Sequence, residues 1–402
     1  MVCNMRRSKT KEKGSKRPEI NIDSYNSRIK EKGYPVDPGK LSADQKRNML
    51  AAGVDPSGKN RCGTYLQMDH DVVHSSSLYP GIEVMSITDA LDKHEWLDNY
   101  VWKLVPYNQD KFTREAQKRP HHGYFVRIQP GVKALFPVQS CLFMHNNNIT
   151  QNVHNVIIAE EGADLQIITG CATADTVSRG LHIGVSEIYV KKGARLTFTM
   201  IHNWAEDIAV RPRTVIEVEE GGTFLSNYIC LQPVSNLQMY PMARLVGRGA
   251  VARFNSLLFA RPGSYLDIGS GVLLMAPEAK AEIISRAVSA GGDIIARGRL
   301  KGTTEGIKAH LECRGLIVSK KGTIHAIPEL EANVSGVDMS HEAAVGKIAR
   351  EEIEYLMARG VSRQEAQAVI VRGFLDTSIM GLPRVLKRQI DETILSCEKD
   401  MF

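Results

Sequence analysis

A thiol, an imidazole and a carboxylate follow one another near the end of the apolar part of the chain. Cys313 lies in the segment 310–318, and the adjacent pair His341 and Glu342 follows it. Thiolate and imidazole are good iron ligands, and a carboxylate beside them can bind iron or move a proton. Two ligands cannot hold a cluster that needs four, so a second subunit, sulfide or exchangeable ligands would have to complete such a site. The alternative is structural, with Cys313 as a small core residue and His341 beside a helix N-cap.

The remaining cysteines do not form a disulfide pattern. The chain has seven cysteines, an odd number, and no Cys-x-x-Cys pair. Free thiols in a reducing compartment fit this pattern better. Cys141 and Cys230 lie in apolar runs and are predicted to be core residues, whereas Cys3 and Cys397 are near the termini. With no apolar signal region and no stretch of about 20 apolar residues, we expect a cytoplasmic protein with no membrane partner.

The segment from Gly53 to Asn60 nearly spells a phosphate-binding P-loop. Asn60 stands where a Ser or Thr hydroxyl should hold magnesium, and Pro56 stiffens the loop. A helical pattern precedes the segment, and no helix pattern opens after it. We therefore predict no P-loop ATP site and no enzymatic activity in this chain, and any ATP hydrolysis should come from a partner.

The net charge of +6 is concentrated at the start of the chain, where seven Lys and Arg residues fall within the first twenty positions. A nucleic-acid-binding arm is one interpretation of such a run. No aromatic residue is interleaved for base stacking, so we predict a solvated, disordered leader over residues 1–38 and no nucleic-acid partner.

From about residue 124 the chain becomes a series of short apolar runs separated by charged, Gly-containing turns. The aligned glycines fall at positions 162, 193, 222 and 249, so the repeat is close to regular. Recurrence at intervals of this size marks stacked repeats, and no long helix separates the runs. A parallel β-helix is therefore predicted, with an antiparallel sandwich as the alternative.

Four regions follow from these patterns. After the leader, residues 39–123 form a small helical or mixed region, with helical patterns over 42–52 and 86–105. Residues 124–342 form the β-helix core. Residues 343–402 carry amphipathic segments at 345–357, 363–372 and 378–394, which either cap the open end of the β-stack or dock a partner.

Several segments, taken together and in order, resemble the SufB/SufD family, the scaffold pair of the Suf iron–sulfur cluster assembly system. The resemblance covers roughly residues 60–395. In order along the chain, the segments are Thr169-Gly170-Cys171-Ala172-Thr173, His202-Asn203-Trp204, Ser285-Arg286-Ala287-Val288-Ser289-Ala290-Gly291-Gly292, the Cys313 segment, Ser340-His341-Glu342-Ala343 and Arg372-Gly373-Phe374-Leu375. The separation of Cys313 from His341 along the chain matches the spacing of the family's cluster-site residues.

The resemblance implies a right-handed parallel β-helix with helical ends, mainly β in class. It implies a scaffold that accepts sulfur and iron and releases a nascent cluster to apo iron–sulfur proteins, with a SufC-type ABC ATPase docked on the helices after residue 343. Cys313, His341 and Glu342 are the implied cluster-assembly residues, the first two as metal ligands. Cys171 is the implied acceptor from a sulfur donor protein or sulfide, so its thiol should be accessible or have a lowered pKa. Reduced flavin is an open question as an electron source.

The chain departs from both partners of the family pair. SufB usually carries Glu-His-Glu where this chain has Ser340-His341-Glu342, and SufD generally lacks the cysteine kept here as Cys313. These mixed features are compatible with a homodimer or with a heterodimer containing a second SufB/SufD-like chain. Two other functions stay open: a structural adaptor of an ATPase in which Cys313 is inert, and a β-helix carbohydrate-active enzyme, which would need paired acid/base carboxylates on one face.

Overall fold

A computed structural model describes residues 19–29, 34, 37–382 and 384–399. Most of the predicted leader, with Cys3, lies outside these residues. Residues 19–29 pack along the strands: the Asn26 N–H donates to the Asn148 carbonyl at 2.9 Å, and the Thr150 N–H donates to the Asn26 carbonyl at 2.9 Å. The chain is therefore attached to the β-structure before the boundary predicted at residue 38.

Twenty-one strands form the main body of the described chain. They are, in order, β1 (Gly63–Met68), β2 (Asp71–Ser77), β3 (Ile82–Ser86), β4 (Tyr124–Ile128), β5 (Val138–Met144), β6 (Ile149–Ala159), β7 (Asp164–Thr173), β8 (Arg179–Val190), β9 (Arg195–Asn203), β10 (Asp207–Val210), β11 (Arg213–Val218), β12 (Thr223–Cys230), β13 (Asn236–Met239), β14 (Met242–Leu245), β15 (Val251–Ala260), β16 (Tyr265–Leu274), β17 (Lys280–Ser289), β18 (Asp293–Gly302), β19 (Lys308–Ile317), β20 (Thr323–Ala332) and β21 (Asp338–Lys347).

Six α-helices of the described chain flank the strands: α1 (Ala43–Ala51), α2 (Ile87–Lys93), α3 (Lys111–Lys118), α4 (Arg350–Met357), α5 (Arg363–Phe374) and α6 (Arg384–Lys399). Helix α1 begins with a capping box in which Ser42 and Gln45 exchange hydrogen bonds. The helix predicted over 86–105 is shorter than expected. It ends at Lys93 and is followed by a separate 3-10 turn at Glu95–Asn99.

The strands form a solenoid of about eight turns with two long sheets. Sheet I runs β2-β1-β5-β7-β9-β12-β15-β17-β19-β21, and sheet II contains the other eleven strands. From β15 onward successive strands alternate between the sheets, and each pairs in parallel with the strand one turn later. Among the described strands, only β1–β2 and β3–β4 pair antiparallel. The prediction of a mainly β, parallel β-helix core is confirmed, and the sandwich is excluded.

The turns between strands stack on one another through backbone hydrogen bonds. Gly193 lies in the left-handed region with φ 63°, and its N–H donates to the Glu220 carbonyl at 2.8 Å. In the next turn the left-handed residue is Gly221 (φ 63°), so the alignment on Gly222 was off by one position. A left-handed backbone is costly for any residue with a Cβ, which explains why glycine recurs with the period of the coil.

The interior of the solenoid is apolar, and the C-terminal helices pack on its outside. Side chains alternate along each strand, so Leu311 and Cys313 point inward while Glu312 points outward. Helices α5 and α6 cover the outer face of sheet I, where Val371, Leu386 and neighbouring residues join a second apolar cluster with residues from β7 to β19. They therefore lie along the side of the stack and do not cap its open end.

The boundary predicted at residue 343 falls inside a strand. Strand β21 continues to Lys347, and helix α4 starts at Arg350. Val345, which had been assigned to the first C-terminal helical segment, therefore belongs to the last strand of sheet I. Of the segment 345–357 that was predicted to be helical, only the part from Arg350 onward forms a helix.

The turn geometry can be tested by two alanine substitutions. A Cβ added at Gly193 or at Gly346 would meet no atom within 4 Å, but only Gly193 has positive φ. Gly193→Ala should lower the free energy of unfolding by about 1 kcal/mol, the cost of a left-handed alanine, whereas Gly346→Ala should leave it nearly unchanged. Urea unfolding of the two variants measures this difference, and equal effects would show that the turn conformation is not what selects glycine.

Candidate functional site

Cys313 and His341 lie on neighbouring strands at one end of sheet I. Strand β19 pairs with β21 so that Leu311 is opposite His341 and Cys313 is opposite Ala343. Because side chains alternate, Cys313 and His341 share the inward-facing side and are offset diagonally by two positions. The alternative that places His341 beside a helix N-cap is wrong, since Cys313 and His341 both lie in strands.

The two residues differ in exposure. Cys313 is 2% exposed and belongs to the interior apolar cluster. Burial raises the pKa of its thiol to about 11, with a smaller contribution from the Glu312 carboxylate. His341 is exposed because β21 is the last strand of sheet I, and no further described strand covers it. The thiol is therefore protonated and protected, while the imidazole is available to a partner.

Glu342 lies on the opposite face of β21 from His341. Its carboxylate is 3.4 Å from the guanidinium of Arg314, which is also 3.0 Å from Glu312. A single chain therefore brings together Cys313 and His341 and directs Glu342 to the outer surface. Across the described residues, no group of three His, Cys, Asp or Glu side chains is arranged to hold a metal ion.

Cys171 is in the interior on β7, the fourth strand of sheet I counted from the edge at β2. It lies on β7, opposite Leu142 of β5 and His202 of β9, and is 1% exposed. Burial, with the nearby Cys141 thiol as a second cause, raises the pKa of Cys171 well above its ordinary value. The expectation of an accessible thiol or a lowered pKa is therefore not met in this conformation.

A polar group beside Cys171 was missed from sequence. The inward row continues from Cys171 to His202 and then to Cys230 on successive strands of sheet I. The Tyr228 hydroxyl lies 2.8 Å from Nδ1 of His202, and burial lowers the pKa of that imidazole to about 3. The signal was present in the repeat, because positions 171, 202 and 230 recur at the same intervals as the turn glycines.

An interior cavity lies between this group and Cys313. It has a volume of about 40 Å³, enough for a few water molecules. Tyr228, Ser256 and Ser285 line it and occupy one inward row that ends at Cys313. Cys171 and Cys313 are five strand spacings apart, about 24 Å at about 4.8 Å per strand. The two thiols cannot react with each other directly.

The other cysteines and the P-loop-like segment have structural positions. Cys141 and Cys230 are buried as predicted, and Cys62 is buried as well. Residues 53–60 form a loop between α1 and β1 with no helix after it, so the P-loop interpretation is excluded. No helix within the described part of the chain is long and apolar enough to cross a membrane.

Comparison with known proteins identifies the family. Residues 142–374 match the family model described as "SUF system FeS cluster assembly, SufBD core domain". An iron–sulfur cluster assembly SufBD family protein of Archaeoglobus fulgidus is 50% identical over 364 residues, covering 90% of this chain and 98% of that protein. A SufBD family protein of Methanothermobacter thermautotrophicus is 46% identical, covering 88% of this chain and 89% of that protein.

The same comparison reaches a bacterial protein named for one member of the pair. The iron–sulfur cluster assembly protein SufB of Bacillus subtilis is 30% identical over 378 residues, covering 92% of this chain and 78% of that protein. The region that matches the family model contains the interior cysteine row, the cavity and the Cys313–His341 end of sheet I. The chain is therefore a member of the SufBD family of iron–sulfur cluster assembly proteins.

Proposed function

We propose that this chain is a cytoplasmic scaffold on which iron–sulfur clusters are assembled, without enzymatic activity of its own. The observation that supports this most is the pairing of Cys313 and His341 on the same face of the last two strands of sheet I, beside an open strand edge. A thiolate and an imidazole beside this edge are two of the ligand types that a cluster accepts, and each can contribute to a site shared with a second chain. The cluster is the cargo of the site.

A second chain would complete the ligand set across the β21 edge. An exposed strand edge presents unpaired N–H and C=O groups that readily pair with another chain. In such a dimer, Cys313 of one chain would face His341 of the other. Glu342 points to the opposite face of β21 and would act beside the ligand pair, for example in moving a proton, instead of binding iron with His341. The second chain is either another copy or a second SufB/SufD-like protein. Mixed ligation of this kind holds a cluster less firmly than four thiolates and suits transfer to apo proteins.

Sulfur would enter at Cys171. The Cys171 thiolate would attack the outer sulfur of a persulfide on a donor protein, forming a new S–S bond and releasing the donor thiolate. The closed interior and raised pKa mean that this step needs an opened conformation. Two electrons from a reductant would cleave the S–S bond of the Cys171 persulfide, which releases sulfide and restores the Cys171 thiol. The sulfide would then move toward Cys313 along the cavity lined by Tyr228, Ser256 and Ser285.

A SufC-type ATPase is the proposed source of that opening. Helix α4 leaves Tyr355 and Met357 exposed, and α5 leaves Val369 exposed, so a partner could bury them. The C-terminal helices are fixed to sheet I through the apolar cluster that includes Val371 and Leu386. Movement of a docked ATPase would therefore be transmitted to the sheet that carries both cysteines. Reduced flavin is the proposed donor of the two electrons that release sulfide from the Cys171 persulfide.

An adaptor role is the second candidate, and the burial of Cys313 favours it. A 2% exposed cysteine within an apolar cluster has the surroundings of an inert core residue. In that case the chain would position an ATPase and a partner scaffold without binding a cluster. The two roles differ in whether the isolated chain gains iron and sulfide.

Cluster formation should depend on Cys313. We expect Cys313→Ser to keep the fold and oligomeric state but to lose most of the iron and sulfide gained in anaerobic reconstitution, because a hydroxyl is a poor iron ligand. Cys141→Ser removes another buried thiol, whose pKa burial raises to about 12, and serves as the control. Iron and sulfide content and visible absorption are the measurements. Wild-type cluster content in Cys313→Ser would show that Cys313 has only a structural role and would favour the adaptor function.

Sulfur uptake should occur at Cys171 and be limited by opening. Because its pKa is raised, the thiolate fraction at neutral pH is smaller than for a free cysteine and grows as pH rises toward that pKa. Alkylation and persulfide formation at Cys171 should therefore be slow in the isolated chain, and faster at alkaline pH and in the presence of the ATPase partner with ATP. Mass spectrometry of the modified peptide follows both. Extra sulfur on other cysteines, with Cys171 unmodified, would refute the assignment.

Binding of the ATPase should depend on the exposed apolar side chains of α4. Truncation after Ala344 would uncover the apolar outer face of sheet I, so point variants are the better test. Tyr355→Ala combined with Met357→Ala should reduce co-purification with a SufC-type ATPase by about tenfold or more. Leu78→Ala is the control, since Leu78 is 56% exposed and follows β2, the strand at the opposite edge of sheet I from β21. Unchanged binding by the double variant would place the docking surface on another element.

A further inference from the structure

An open cleft crosses the outer face of sheet II, away from both cysteines. Its floor is one outward-facing row on successive strands: Tyr189 on β8 is opposite Glu217 on β11, which is opposite Arg244 on β14. Arg127 on β4 continues the row on the other side. One wall is the segment 96–104, and the cleft has a volume of about 700 Å³. Pockets that bind small molecules usually have volumes of about 300–1,000 Å³.

The wall of the cleft is held rigidly. The fully buried Glu187 carboxylate accepts hydrogen bonds from the backbone N–H groups of Trp102 (2.5 Å), Leu104 (2.5 Å) and Val105 (3.0 Å). The Tyr189 hydroxyl donates to the Tyr100 carbonyl at 2.7 Å. A wall fixed by a buried carboxylate is already arranged before any ligand arrives, which reduces the entropy cost of binding.

Aromatic rings line the wall and the floor. Trp96 and Tyr100 meet edge to face with ring centroids 5.7 Å apart, and Tyr100 meets Tyr189 in the same way at 4.8 Å. Trp96 and Tyr100 are half-buried, so part of each ring faces the cleft. Half-exposed aromatic rings on a rigid wall are suited to contact a planar ring of a ligand.

Two cations in the cleft already have acidic partners. The guanidinium of Arg127 lies 4.7 Å from the Trp96 ring centroid and 2.8 Å from Glu160. The ammonium of Lys191 lies 5.2 Å from the Tyr100 centroid and 2.8 Å from Glu219. These pairs are satisfied within the chain and leave no net charge for a ligand.

Two further cations are not paired. In the described part of the chain, Arg244 and Lys103 form no side-chain hydrogen bond or ion pair, although both line the cleft. Arg244 is half-buried, and Glu217, the acidic residue in the same row, forms no ion pair with any described cation. Glu217 lies directly opposite Arg244 in this row but forms no ion pair with it, so the half-buried guanidinium keeps its donors free. Such a guanidinium can donate two parallel hydrogen bonds to an oxyanion.

We propose that this cleft binds a mononucleotide, meaning a planar heteroaromatic ring that carries a phosphate group. The ring contacts Trp96 and Tyr100 on the wall, and the phosphate pairs with Arg244 and Lys103. This proposal is independent of the scaffold function, because none of the residues involved lies near Cys171, Cys313 or His341 in the sheet order.

The test uses the purified full-length chain and three probes: AMP, FMN and inorganic phosphate. Equilibrium dialysis should show saturable binding of AMP or FMN in the micromolar to millimolar range, and the preferred probe identifies the ring. Arg244→Ala should weaken binding by about tenfold, and Tyr100→Leu should weaken it while the chain stays folded by circular dichroism. Arg248→Ala is the matched control, since Arg248 is an exposed arginine in a nearby turn paired with Glu278 at 2.5 Å, and it should bind like the wild type.

Three results would overturn the proposal. The first is the absence of saturable binding of either nucleotide at millimolar concentration. The second is phosphate binding as tightly as AMP and FMN, which would show an anion site with no ring recognition. The third is equal loss of binding in Arg244→Ala and Arg248→Ala, which would show only nonspecific attraction to basic residues.

Discussion

The parallel register of sheet I decides which side chains meet in this protein. Each strand pairs position for position with the strand one turn later, so every side chain faces the same way as its partner in the next turn. This rule puts Cys171, His202 and Cys230 in one inward row. It puts Cys313 in a second inward row, together with Tyr228, Ser256 and Ser285. A one-residue slip in the pairing of a single strand would turn its inward side chains to the outer face.

The last strand is one of the two edges of the described sheet I, and it is the edge at which the parallel pairing stops. Interior strands satisfy their backbone groups with neighbours on both sides, but β21 has a described neighbour only in β19. His341 is exposed for the same reason that the strand edge is open. The site expected to bind a cluster and the edge expected to bind another chain are therefore the same part of the molecule. A scaffold of this design would have no complete cluster site until it is assembled.

The sequence predicted the repeat architecture because its turns recur with the coil period and contain glycine where φ is positive. It did not predict where the strands end: the continuation of β21 through Val345 depends on pairing with β19, which local helical spacing does not reveal. The motifs around Cys171 and Cys313 could be identified from their residue types. The burial of both thiols could not, because it results from the alternation of inward and outward side chains in the folded sheet. Glu342 was grouped with His341 by adjacency, whereas adjacent residues on a strand face opposite sides.

The central claim is that a cluster site is shared between two chains, with Cys313 from one and His341 from the other. Co-expression of differently tagged Cys313→Ser and His341→Ala chains, followed by tandem purification of the mixed dimer, tests it directly. In the mixed dimer one site has lost both ligands and the other keeps both, so iron and sulfide after reconstitution should recover to about half of the wild-type content, while each variant alone stays near zero. A mixed dimer that holds no more cluster than either variant alone would contradict a site shared between copies of this chain.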